Sequence, residues 1–144
     1  MKKNKISKKI ITSLLLVGAL STLSLPTFAA EDNYGYSFSI KTHQNNTYGG
    51  NAKYRQTTNT SNKWKVELSY SGEGKGTGTR FWLVKDNIYK TQVSTSTIAY
   101  QGGGAKYTDA YNDASKQYVK LGAENNNYSA NSYTVSGYWD EEIN

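Results

Sequence analysis

The sequence contains no cysteine. Thiolate chemistry and a lipid-modified N-terminal cysteine are therefore both excluded, and no disulfide can brace the fold. There is one proline, Pro26, and one histidine, His43. A zinc site would need partners the chain lacks, and His43 alone reads as a loop histidine. No heptad pattern, no repeat of 20–50 residues and no basic stripe runs through the chain, which speaks against coiled coils, solenoids and nucleic-acid binding. The run Gly72-Glu73-Gly74-Lys75-Gly76-Thr77-Gly78 lacks the Gly-Lys-Ser/Thr ending and the following helix of a phosphate-cradling loop. It reads as the apex of a turn.

Charge is uneven. Of the 17 basic residues, Lys2, Lys3, Lys5, Lys8 and Lys9 crowd the first nine positions, which hold no acid. An apolar run from Ile10 to Leu25 follows, then Pro26 and Thr27-Phe28-Ala29. A basic head, an apolar middle and small residues at the cut make a secretory signal peptide, with cleavage after Ala29. No stop-transfer cluster and no twin arginine is present, so export by the general route and no membrane span after cleavage are expected. Residues 30–144 then carry 12 basic against 11 acidic residues, close to neutral. The expected location is extracellular or loosely held in a cell wall.

What the chain has in surplus is tyrosine: 13, with three tryptophans, all after the signal. A tyrosine buries a large ring yet keeps a polar tip, so it suits a thin layered core close to water. The remaining 115 or so residues suffice for one domain, 30–144. Period-two alternation recurs along it. Tyr34, Tyr36, Phe38 and Ile40 alternate with small polar residues, and Trp64, Val66, Leu68 and Tyr70 with Lys65, Glu67 and Ser69. Arg80 to Val84 is apolar at nearly every position, as a strand covered on both faces would be.

Further strands are expected at Ala52–Gln56 (an edge), Tyr89–Thr97, Val119–Ala123 and Tyr133–Trp139. Ala105 to Lys116 reads equally as short helix or tyrosine-rich loop. About seven strands at this spacing predict an all-β antiparallel sandwich or small barrel. The glycine-rich segment is expected to close a hairpin that sets Leu68 opposite Trp82 and Val66 opposite Val84. A second hairpin around Asn125–Asn127 is expected to set Val119 opposite Tyr133. Asp140 to Asn144 reads as a short acidic tail.

No convergent catalytic set is evident, so a non-enzymatic binding protein is expected, with no cofactor and no metal. Asp109 with Asp113, and Asp140 to Glu142, lack the spacing of a calcium loop. The candidate binding residues are Tyr107, Tyr111, Tyr118 and Tyr138. The last two oppose the core parity of their strands, and exposed tyrosines beside Asn and Ser give contact area at low entropic cost. The expected partner is a cell-envelope component or an extracellular glycan or protein.

The Tyr-Gly-Tyr-Ser-Phe-Ser start, the Asn-Lys-Trp-Lys-Val-Glu-Leu segment, the Gly-Thr-Arg-Phe-Trp-Leu-Val strand and the closing Gly-Tyr-Trp-Asp resemble a family of small exported proteins of unknown function in Bacillus-like Gram-positive bacteria. In architecture alone the chain is also similar to secreted, cysteine-free sandwich bacteriocins of the lactococcin 972 type. The first resemblance transfers no site residue. The second implies a bacteriocin-like action on other cells, with a glycan- or matrix-binding module and a small secreted hydrolase as alternatives.

Overall fold

The computed structural model describes residues 31–143. The signal segment 1–29 and its cleavage point lie outside them. Among the described residues eight strands form: β1 (Tyr34–Ile40), β2 (Thr47–Arg55), β3 (Trp64–Ser71), β4 (Gly78–Lys85), β5 (Thr97–Tyr100), β6 (Lys106–Thr108), β7 (Gln117–Asn125) and β8 (Tyr133–Asp140). A 3-10 turn, Asn112–Ala114, precedes β7. The strands build two antiparallel four-stranded sheets. The front sheet has the order β1-β8-β3-β6 and the back sheet β2-β7-β4-β5. The body is thus a β-sandwich and not a closed barrel.

Successive strands change layer at every step except β4 to β5. That wiring is the eight-stranded jelly roll. It overturns both expected hairpins. β3 pairs with β8 and β6, while β4 pairs with β7 and β5. The glycine-rich segment therefore arches from one layer to the other. The asparagine turn does the same, carrying β7 in the back sheet to β8 in the front.

Freed from a hairpin with β3, β4 takes its register from β7. Phe81 lies opposite Ala123 and Leu83 opposite Leu121. These four side chains face the core together with Trp64, Val66, Leu68, Val119, Val135 and Trp139. Tyr36 and Phe81 meet across the layers, ring centroids 5.7 Å apart. Trp82, expected inside, is on the outer face of the back sheet. It is nonetheless buried, because its indole lies over Gly122, where a Cβ would sit 2.3 Å from Nε1. β4 is thus covered on both faces, as its apolar run predicts.

A bulge changes the fate of Tyr70. Leu68 pairs with Gly137 and Tyr70 with Ser136, so Ser69 is one residue too many. The extra residue reverses the alternation. Ser71 turns inward and Tyr70, expected in the core, stands 52% exposed. Elsewhere β2 is an edge strand, as read, but begins at Thr47 rather than Ala52. The segment from Tyr89 to Ser96 makes only isolated bridges, at Gln92 and Ser94, before β5. The ambiguous region resolves into β6 and the 3-10 turn.

The expected acidic tail is part of the body. Asp140, Glu141 and Glu142 are all buried. The Asp140 carboxylate accepts the Asp32 N–H at 2.8 Å. The Glu142 carboxylate accepts the N–H groups of Gln56 and Thr57 at 3.1 and 2.8 Å. Buried Arg55 donates to the carbonyls of Glu141 and Asn62. The Ile143 N–H donates to the Lys63 carbonyl at 2.8 Å. Removing carboxylates from water is costly; backbone N–H groups replace the lost hydration at Asp140 and Glu142, whereas Glu141 keeps a buried carboxylate oxygen without a donor.

Candidate functional site

Alternation sends Gly35, Ser37 and Ser39 of β1 to the outer face of the front sheet, and Ser136 and Tyr138 of β8 with them. Register then sets them side by side. One rung across β1, β8 and β3 reads Gly35, Tyr138, Glu67; the next reads Ser37, Ser136, Tyr70. Between these rungs lies a shallow groove of about 450 Å³, lined by Gly35, Tyr36, Ser37, Ser69, Ser136, Gly137 and Tyr138. Small residues make its floor. Tyr138, 51% exposed, forms one side; Tyr70, 52% exposed, follows Ser69 on β3 and pairs with Ser136 but is not part of the lining.

The floor is kept open from beneath. The Tyr36 hydroxyl donates to the Glu67 carbonyl at 2.9 Å. Burial chiefly, and then the charge of Glu67, push this hydroxyl far above the ordinary tyrosine range, so it stays a donor. A Cβ on Gly137 would lie 1.9 Å from the same carbonyl and 3.0 Å from the same hydroxyl. Only glycine fits where the bulged β3 backbone comes this close. The bulge, the Tyr36 bond and Gly137 are one local arrangement, and the groove sits on top of it.

The lining carries hydroxyls and aromatic rings and no formal charge. Glu67, next to Tyr138 on the rung, places a carboxylate at the margin. Such a surface offers ring faces for stacking and hydroxyls that both donate and accept, which suits a neutral, hydroxyl-rich ligand.

The four tyrosines singled out from the sequence do not converge. Tyr138 flanks the groove. Tyr107 shares its face of the front sheet but lies on edge strand β6, opposite Lys65. Tyr118 is on the outer face of the back sheet, its ring against that of Tyr54 with centroids 5.2 Å apart. Tyr111 precedes the 3-10 turn at one end of the sandwich. All four are exposed, which strand parity implies for Tyr118 and Tyr138 but not for Tyr107 and Tyr111. Sequence reasoning misses Ser37, Ser69 and Ser136. The outward parity of Ser37 and Ser136 is readable, but their adjacency follows from pairing the first strand with the last.

The remaining candidates are engaged elsewhere. Asp109 pairs with Lys63 at 2.6 Å and Asp113 with Lys85 at 3.8 Å. His43 lies in the β1–β2 turn, its ring 5.1 Å from that of Tyr128. Among the described residues, no three His, Cys, Asp or Glu side chains converge as a metal site would require.

Fold and groove together define a small jelly-roll sandwich with an aromatic-flanked, uncharged surface depression. Residues 25–143 match the model of a family described as a protein of unknown function (DUF2712), and the chain belongs to that family. No curated protein and no solved structure matches it.

Proposed function

We propose that this is an exported, non-enzymatic protein that binds a neutral glycan of a bacterial cell envelope through the front-sheet groove. The observation that carries this reading is the groove itself: serine hydroxyls and glycine backbone beside the exposed ring of Tyr138, with no charge in the lining. The basic head and apolar run of the first 29 residues support export to where such a ligand is found.

Sedimentation of residues 30–144 with purified cell walls tests it. Tyr138→Ala removes one ring face and is expected to weaken retention about three- to tenfold. Ser37→Trp fills the depression from an exposed position and is expected to abolish retention. Unchanged retention of both variants would overturn the reading. Growth inhibition of related strains by the same protein would add antagonism to binding; its absence, with binding intact, would leave a glycan-binding module.

A further inference from the structure

The β4–β5 connection begins with a turn, Asp86 to Lys90, that carries the two most exposed large hydrophobic side chains of the described residues. Ile88 is 86% and Tyr89 80% exposed. An isoleucine so placed buries nothing in the fold, yet the turn beneath it is tightly fixed. The Asn87 side-chain oxygen accepts the N–H groups of Tyr89 and Lys90 at 3.1 and 2.9 Å. The Lys90 N–H also reaches the Asn87 carbonyl at 3.3 Å, and Lys90 adopts a positive φ of 49°. Asp86 holds the base. Its N–H donates to the Tyr118 carbonyl at 2.9 Å, and its carboxylate pairs with Lys90 at 3.0 Å and Lys120 at 3.6 Å. These lysines hold that carboxylate below its ordinary range, chiefly through the Lys90 bond.

The surroundings are basic and aromatic. At this end of the back sheet Lys90 and Lys120 pair with Asp86 and Lys85 with Asp113, Lys116 is exposed, and the four lysines outnumber the two aspartates by two charges. Tyr118 and Tyr54 lie on the adjoining outer face of that sheet, both exposed. A rigid apolar tip loses little entropy on insertion. Tyrosines favour the boundary between hydrocarbon and water, and lysines extend their charge to phosphates. A second copy of the chain would bring its own lysines against these, so the charge favours an anionic surface over self-association.

We infer that the Ile88–Tyr89 turn is a docking tip for an anionic lipid bilayer, with Ile88 entering the acyl boundary, Tyr89 and Tyr118 lying at headgroup depth and exposed Lys116, with the surplus of lysine over aspartate around it, facing lipid phosphates. This site is separate from the groove and does not depend on it.

Co-sedimentation of residues 30–144 with vesicles of phosphatidylglycerol mixed into phosphatidylcholine, and of phosphatidylcholine alone, tests the inference. Binding is expected only to the anionic vesicles and is expected to weaken as salt rises. Ile88→Asp is expected to reduce it about tenfold or more, since the change removes an apolar contact and adds a repelled charge. Because the side chain is almost wholly in solvent, the variant keeps the fold and its cell-wall retention. Tyr128→Asn, an exposed change in the β7–β8 loop, serves as control and keeps vesicle binding. Equal binding to both vesicle types, or full binding by Ile88→Asp, overturns the inference. So does a dimer of the parent that Ile88→Asp dissociates, which would assign the tip to a second copy.

Discussion

Single atoms decide two positions. Gly137 has no room for a methyl group, because the nearest atom is a backbone carbonyl that cannot swing away. Gly137→Ala is expected to cost about 3 kcal/mol or more, read as a lower urea midpoint at unchanged slope. Tyr36→Phe is expected to cost about 1 kcal/mol for its one lost bond. Glu141 is a different case. Burial first, then the charges of Asp140, Glu142 and Asp32, raise its carboxyl from the ordinary 4.5 to about 7. Asp140 is raised as well, again mainly by burial. A raised carboxyl binds its proton more readily in the folded state than in the unfolded one. Its contribution is therefore most favourable below about pH 4.5 and is lost as pH rises through about 7. Glu141→Gln is expected to raise the urea midpoint at pH 8, with the gain shrinking toward pH 5. An equal gain at both values would show that the carboxyl titrates normally.

Strands and their connections give a different lesson about what a sequence reveals. Alternation locates β1, β3 and β8 almost to the residue and the middle of β7, which runs two residues further at each end, and it marks Tyr118 and Tyr138 as outward. It fails at Tyr70, because a one-residue bulge leaves no mark in a pattern that still alternates. It also fails at the connections. The six residues from Gly72 to Thr77 span two layers about 10 Å apart as readily as they close a hairpin, and no local signal distinguishes the two. A two-residue turn would have forced pairing in one sheet. The arch has its own supports. Glu73 accepts from the side-chain amides of Asn125 and Asn127 at 3.3 and 3.1 Å, tying it to the β7–β8 connection. Gly74 and Gly76 have φ of 101° and 85°, and a Cβ at either would meet nothing within 4 Å. Gly74→Ala is thus expected to destabilise by about 1 kcal/mol through strain alone, without the overlap that penalises Gly137→Ala. Circular dichroism during urea titration would separate a small shift from a loss of fold.

At the scale of the whole molecule, the jelly roll unites sequence-distant strands, and the groove is assembled from β1, β3 and β8 only when those strands have met. This explains why its exposed Tyr138 is legible in the sequence while the site is not. The buried acids near the C-terminus serve the same closure, holding Asp32, Gln56 and Thr57 at one end of the sandwich. Truncation before Tyr133 removes the strand between β1 and β3 and is expected to abolish cooperative unfolding altogether. A sharp transition in such a fragment would show that the back sheet folds alone.

The pairing of β1 with β8 also has a consequence in time. A ribosome delivers Tyr133–Asp140 last among the strands, and until it emerges Tyr34–Ile40 has no neighbour in its own layer. The front sheet lacks a central strand until then, so closure of that layer has to wait for the end of synthesis.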